Sequence, residues 1–336
     1  MLDKKRTLRF IASPKNFGNS FDIVFEWENI LSKQLSLKIL KPNNFRLWLL
    51  RQIEVRLKAV ELYHFFIFKR RYLSLRFVMN ARKTKSCLLD KNTIPVVIDF
   101  WLEKSEFEDF YSAYRHCPLV LITSAEVFDM LKKENCPLNI LHWPLSIPDK
   151  ELENLDHSIE KKWDLVLLGR TDRYFLRMLE KYCKNNPDFV YVRGNGNIDN
   201  RYFETNKGEF VSSGKTREDY LHMMSKAKIT FYTTPGLDES KSITTSYNQV
   251  TPRFLEFLSR GCYVLARYPN NSDTKFYDLA SIAENIDSYK KFELQLNKYL
   301  NSESASTLKI KSYLSNHTTT ARAINLKKQL NDYLDL

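Results

Sequence analysis

Short apolar runs of strand character alternate with helical stretches of about ten residues along this chain, and the alternation stops once and restarts. TLRFIAS (7–13) reads as a first strand, ending in the polar loop PKNFGNS, and FDIVFEWENILSKQL (21–35) has helical spacing. A second, basic and aromatic helix is expected over 45–72. TIPVVIDFW (93–101), PLVLITS (118–124) and NILHWP (139–144) are buried-type strands separated by the helices EFEDFYSAYRHC and AEVFDMLKKENC. Strands joined by single helices are parallel βαβ units. SIPDKELENLDHSIEKK (146–162) is polar and charged, a natural linker. The series then resumes with the strand KWDLVLLGR, the helix TDRYFLRMLEKYCK, the strand FVYVRG, the helix REDYLHMMSKAK and the strand ITFYTT. The expected fold is therefore α/β with two domains, 1–150 and 151–336, the helical tail KKFELQLNKYL and ARAINLKKQLNDYL closing the second. A cleft between such domains is the default ligand site.

Composition narrows the class. With 43% hydrophobic residues and only 8 glycines in 336, the chain has the makings of a core and not of a disordered array. No run of eighteen apolar residues exists, so no spanning helix is expected, and the apolar part of MLDKKRTLRFIASPKN is too short for a signal peptide. The five cysteines are odd in number, widely spaced and lack metal-ligand spacing, which fits reduced thiols in the cytoplasm. Residues 1–90 hold 19 Lys+Arg against 7 Asp+Glu, while the other 246 hold 33 of each. An N-terminal quarter carrying the whole excess implies an anionic partner: a membrane surface, a phosphorylated lipid or nucleic acid. Aromatic residues among the Lys/Arg of 45–77 would suit stacking on single strands, but their spacing is mostly that of a helix core and no RNA-binding motif is present, which argues against nucleic acid.

Two glycine motifs do not meet their own geometric requirements. GEFVSSGKT (208–216) places five residues between Gly208 and Gly214, where a phosphate-binding P-loop needs four. RGNGNIDN (193–200) has no third glycine and opens no clear helix. Both read as loops at strand ends.

TPRFLEFLSRGCYVLARYP (251–269) is more informative. Thr251 suits an N-cap and Pro252 the first helical position, Gly261 stops the helix, and CYVLA is the next strand. The long polar loop before it, TPGLDESKSITTSYNQV, marks a strand-to-helix junction of the kind that serves a site. A helix start there attracts phosphate, Arg253 adds a forked cationic donor, and Glu256 can accept two hydrogen bonds from a ribose diol. The same spacing equally fits an exposed ladder of Arg253, Glu256 and Arg260.

The order strand-LGR, helix, strand, helix ending MMSKAK, then VTPRFLEFLSRGCYVLA resembles group-one glycosyltransferases of the GT-B fold, two Rossmann-like domains facing a cleft. It looks most similar to the divergent branch that includes CgeB-like proteins, and NHTTTARAINLKKQL (316–330) resembles that family's closing segment. The likeness spans about 160–330; the N-terminal half shares only the strand-helix rhythm. It implies a donor-binding C-terminal domain, with Glu256 on the ribose and with Gly169 and Arg170 facing the donor diphosphate. Many retaining members carry a second glutamate eight residues earlier, near the donor sugar; here that position is Asn248, a departure from the retaining pattern.

So read, the chain is a glycosyltransferase moving a sugar from a nucleotide-sugar to a glycan or lipid-linked acceptor in bacterial surface polysaccharide synthesis, in the cytoplasm or on the inner face of the plasma membrane. No cofactor and no metal are expected, for no DxD triplet or His/Asp/Glu cluster occurs, and Arg170, Arg253 and helix-end amides would stabilise the leaving diphosphate. Asp99, ending IPVVID, is either a base for the acceptor hydroxyl or a structural cap. Glu126, after LVLITSA, is a weaker candidate base or an ordinary first-turn helix acid; His142 reads as a packed strand-end residue, and His317 and Thr318 as caps of the last helix. A different class, a non-catalytic GT-B or nucleic-acid-binding protein, remains the alternative.

Overall fold

The structure, a computed structural model, describes residues 6–13, 22–41, 71–83, 89–153, 155, 160–196, 201–240, 247–303 and 307–334. It divides into two compact units: residues 1–148 with 319–336, and residues 149–318.

The first unit contains β1 (Thr7–Ala12), α1 (Asp22–Gln34), β2 (Lys38–Leu40), β3 (Tyr72–Asn80), β4 (Thr93–Asp99), α2 (Phe107–Tyr114), β5 (Val120–Ile122), α3 (Ala125–Lys133) and β6 (Ile140–His142). Its six strands pair in the order β2-β1-β3-β4-β5-β6, all parallel. Parallel strands are covered on both faces, which is why TIPVVID buries six of its seven residues as a nearly unbroken apolar run. Alternate residues Ile94, Val96 and Ile98 of β4 join Leu73, Leu75 and Phe77 of β3 in the core under α1.

The last helix, α11 (Thr319–Leu334), belongs to this first unit and not to the second, as the sequence reading had it. Its apolar stripe Ala323, Leu326 and Leu330 packs into the same core as Val24, Trp27 and Leu31 of α1. Its start is held by Thr319 N donating to Ile147 O at 2.9 Å, and Trp143 Nε1 donates to Arg322 O at 3.1 Å. Periodicity reveals that a helix has an apolar stripe but not which core receives it.

The second unit contains α4 (Lys150–Glu153), β7 (Trp163–Leu167), α5 (Arg173–Asn185), β8 (Val192–Asn195), β9 (Tyr202–Thr205), β10 (Phe210–Ser213), α6 (Arg217–Ser225), β11 (Ala227–Thr233), α7 (Pro252–Ser259), β12 (Tyr263–Arg267), α8 (Ser272–Phe276), α9 (Tyr289–Leu300) and α10 (Thr307–Ser315). The strand order is β10-β9-β8-β7-β11-β12, with β9 antiparallel to both β8 and β10 and the rest parallel. At its centre Phe175 of α5 stacks on Phe231 of β11, and Phe292 of α9 meets Phe231 edge-on.

The stretch read as a linker is partly structural. Glu151 on α4 is buried and paired with Arg260 at the end of α7. The false P-loop is the β9–β10 turn and the β10–α6 junction. Gly208 has φ +87° in the turn, and a Cβ on Gly214 would come within 2.9 Å of the Phe203 ring. Thr216 then caps α6, its Oγ1 accepting from Asp219 N at 3.0 Å. Of the helix read over 45–72, all but the last two residues lie outside the described residues, and Tyr72 opens a strand.

Candidate functional site

In both sheets the strand order reverses once. The chain leaves β7 toward β8, β9 and β10, then returns through α6 to β11 on the other side; in the first unit it leaves β1 toward β2 and returns to β3. Ligands of open α/β sheets bind outside the carboxyl ends of the strands at such a reversal.

At the carboxyl end of β7 the chain turns through Gly169, with φ +72°. Arg253, on the first turn of α7, lays its guanidinium against this glycine: a Cβ there would be 3.1 Å from Arg253 Cζ. Only glycine meets both the positive φ and the close approach. Two residues 84 positions apart, each singled out in the sequence, thus touch at the strand reversal. Arg170 follows, exposed at the same turn.

Glu256 does not form the exposed ladder. It is 4% exposed, and Arg217 Nη2 donates to its Oε1 at 2.6 Å from the first residue of α6. Arg260, the other rung, goes to Glu151 instead. The helix forces this outcome: Phe254, Leu255, Phe257 and Leu258 are all buried, so α7 has no wide solvent face to carry a ladder. Burial of an ion pair is tolerated only with close geometry, and removing one partner of such a pair costs about 3–5 kcal/mol. The Tyr220 phenol lies in the field of Arg253, Glu256, Arg217 and Arg201, and burial raises its pKa. The cluster therefore puts Arg217, Tyr220, Arg253 and Glu256 side by side.

The approach to α7 is fixed by buried side chains. Thr234 Oγ1 donates to Asn248 Oδ1 at 2.6 Å, and Asn271 Nδ2 donates to Asn248 O at 3.1 Å. Val250 N donates to the buried Asp273, and Thr251 N to the Tyr232 hydroxyl at 2.9 Å, a phenol whose pKa burial pushes up to about 12. Asn248, 5% exposed, braces this loop. Thr251 is the N-cap, but no side-chain cap bond forms.

A second cluster went unnoticed in the sequence. Asp172, 3% exposed, caps α5 through Tyr174 N at 3.1 Å. It also accepts from Arg267 Nη1 at 2.8 Å, Thr233 Oγ1 at 3.1 Å and Glu239 N at 3.1 Å. The carboxyl ends of β11 and β12 and the loop after β11 are thereby tied to the turn that follows Gly169. Arg267 also stands 4.0 Å over the Tyr174 ring. The capping aspartate was visible as TD before RYF; its burial and its three distant partners were not.

In the first unit Asp99 ends β4, half-buried and in register with Asn80 of β3. At the reversal itself Ser13, just past β1, donates from Oγ to Glu28 Oε2 at 2.6 Å. Glu28 is 2% exposed, and burial raises its pKa against the opposing pull of Ser13 and Arg76. Glu28 was missed because it lies inside an ordinary amphipathic helix. Glu126 sits in the first turn of α3. His142 is packed 5.9 Å from the Phe128 ring, with a pKa lowered to about 4 by burial. His317 stacks 5.1 Å from Tyr277. Among the described residues no three His, Cys, Asp or Glu side chains converge as a metal site would require. Among them, too, no helix is long and apolar enough to cross a membrane.

No protein-family model matches the sequence, and no curated protein matches it. Among solved structures, sucrose-phosphate synthase from Thermosynechococcus elongatus superposes with a TM-score of 0.53 over 98% of this chain and 99% of that one, at 10% identity. The fold is GT-B. The pneumococcal O-GlcNAc transferase GtfA, determined with UDP and GlcNAc, follows at TM-score 0.48 and 10% identity, with 82% of this chain covering 60% of that chain. UDP-GlcNAc 2-epimerase from Methanocaldococcus jannaschii has TM-score 0.46 and 9% identity, over 96% of this chain and 99% of that one. The likeness to sucrose-phosphate synthase concerns the fold alone; what the chain does rests on its side chains.

Proposed function

We propose that this chain is a metal-independent glycosyltransferase that moves a sugar from a nucleotide-sugar donor to a glycan or lipid-linked glycan acceptor. The setting that suits it is bacterial surface polysaccharide synthesis on the cytoplasmic side of the membrane. The observation that carries the reading is the contact of Arg253 with Gly169 at the strand reversal of the second unit. A glycine with no side chain and an adjacent guanidinium form a place where a diphosphate can approach the backbone and be met by two N–H donors. Arg170 extends the positive field. Glu256 serves the ribose diol, and Arg217 orients it. Asn248 acts on the donor only through the loop it braces. As the bond to the sugar breaks, negative charge builds on the departing diphosphate, and these fixed cations stabilise it without reorganising. Asp99, on the first unit, takes the proton of the acceptor hydroxyl.

Titration calorimetry and thermal unfolding with UDP, GDP and ADP test the reading. One nucleotide diphosphate at a hundredfold excess over its dissociation constant stabilises the protein by about 2.7 kcal/mol. No stabilisation by any nucleotide refutes it. With a donor in hand, Asp99→Asn lowers turnover on the order of 10²- to 10⁴-fold while the nucleotide still binds. Unchanged turnover returns Asp99 to a structural role.

A further inference from the structure

The helix that crosses from the end of the chain to the first unit presents an outward stripe unlike the rest of its surface. Ala323, Leu326 and Leu330 face the core of the first unit. A flanking stripe about a third of a turn away, at three- and four-residue spacing, is Ile324, Lys327, Lys328 and Asn331, all exposed. Ile324 is 65% exposed. Together with Gln34 and Leu35 at the end of α1 these residues line a groove of about 440 Å³. Gln34 Nε2 donates to Thr320 Oγ1 at 3.2 Å and fixes one end of the groove. Among the described residues neither Lys327 nor Lys328 has an ion-pair partner; the nearest acid along the helix is Asp332, one residue beyond the stripe.

Charge gives the stripe its context. The first unit, residues 1–148 with 319–336, holds 27 Lys+Arg against 17 Asp+Glu, a net of +10, whereas the second holds 25 against 23. Lys33, Lys38 and Lys41 are exposed on the chain between α1 and the end of β2, and Leu40 is 40% exposed beside them. A further six Lys+Arg and two Asp+Glu follow in residues 42–70. An exposed aliphatic side chain flanked by unpaired cations on a strongly basic unit matches the two-layered chemistry of a bilayer surface, with acyl carbon below and anionic headgroups above. A nucleic acid would meet the charge but offers nothing to Ile324.

We propose that the outer face of α11, with the end of α1, docks this protein on an anionic lipid surface. Lys327 and Lys328 meet headgroup phosphates, and Ile324 enters the headgroup–acyl boundary. The surface is independent of the donor site and stands or falls without it.

Sedimentation of the full chain with vesicles tests it directly. Vesicles of phosphatidylglycerol with phosphatidylcholine should carry the protein down at low salt, and vesicles of phosphatidylcholine alone should not. Lys327→Gln with Lys328→Gln should weaken partitioning by about thirtyfold, at about fivefold per cation. Ile324→Ser should weaken it several-fold, and Asn331→Lys should strengthen it about fivefold. Because the last change adds affinity, poor folding cannot imitate it; denaturant unfolding with the parent's midpoint checks the fold in the other two. Parent-like partitioning of all three variants overturns the proposal, as does a parent that ignores anionic vesicles. Binding of a single-stranded oligonucleotide that depends on Lys327 and Lys328, without vesicle binding, overturns it in favour of nucleic acid.

Discussion

At the strand reversal of the second unit charged side chains gather: Arg217 pairs with Glu256, Arg267 pairs with Asp172, and the Arg253 guanidinium lies over Gly169. At the reversal of the first unit the groups that meet are a hydroxyl and one buried acid, Ser13 and Glu28, with Asn80 and Asp99 on the neighbouring strand ends. Both reversals lie between parallel strands, so the contrast between them is chiefly one of chemistry. Fixed cations suit a ligand that is already an anion. Hydroxyl, amide and carboxyl groups suit a neutral, hydroxyl-bearing ligand that must be oriented and relieved of a proton. The contrast also runs opposite to net charge: the first unit is the strongly basic one, yet the close contact at its reversal is between a hydroxyl and an acid, and its cation at the neighbouring strand ends, Arg82, is exposed and paired with Glu106. Net charge identifies a field and not a site.

The contrast breaks most readily at Asp172. If the second edge is built from charge pairs, removing its most connected acid leaves the half-buried Arg267 with only Leu237 O, a 3.5 Å approach to Glu239 and the Tyr174 ring, and frees the loop after β11. Asp172→Ala should cost about 3–5 kcal/mol of stability in denaturant unfolding. A loss below about 1 kcal/mol would mean that Arg267 and the loop are held elsewhere, and the second edge would lose its distinction from the first.

Arg253→Ala sharpens the comparison, because its effect should fall on binding and not on the fold. Arg253 is half-buried and lies on a glycine, so truncation opens space without orphaning a carboxylate. Nucleotide affinity should drop by about tenfold to a hundredfold, the equivalent of 1.5–3 kcal/mol for a hydrogen bond to a charged group. Calorimetry decides it; affinity equal to the parent's removes Arg253 from the anion site. Glu256→Gln belongs to the same experiment. It should weaken binding and also lower stability, since Arg217 then faces a neutral amide.

How much of this was readable beforehand follows the range of the interaction. The strands β1, β4, β5, β6 and β7 lie within the apolar runs that proposed them, because a parallel strand buried on both faces writes itself as local composition. β3 escaped: YLSLRFVMN continues a basic aromatic stretch with helical spacing, and only its place between β1 and β4 makes it a strand. The site divides likewise. Arg253 could be named from the chemistry of a helix start and Gly169 from the family resemblance alone, and they touch. Arg217 could not, since its partner Glu256 lies 39 residues away and no local signal marks a cation at a helix start as buried. For Glu256 the reading lay between ligand and ladder, and packing removes the ladder: it needs a solvent face, and α7 has none to give.

The smallest effect concerns the first edge, and there the sign carries the information. Burial holds the Glu28 carboxyl above its ordinary pKa, with Ser13 and Arg76 pulling the other way. Between the pKa of an unfolded glutamate, about 4.3, and that of the buried group, the folded chain binds more protons than the unfolded one. Stability therefore falls as pH rises through that window and levels off above it. Glu28→Gln removes the titration while leaving an amide oxygen to accept from Ser13. The variant's advantage over the parent should grow from pH 4 upward and then stay constant. Parallel denaturant curves at several pH values measure the difference, in which the other titrating groups cancel. A variant advantage that shrinks with rising pH would mean Glu28 is held as a carboxylate, paired with Arg76. The first edge would then be built from charge like the second, and the chemical contrast between the two reversals would be lost.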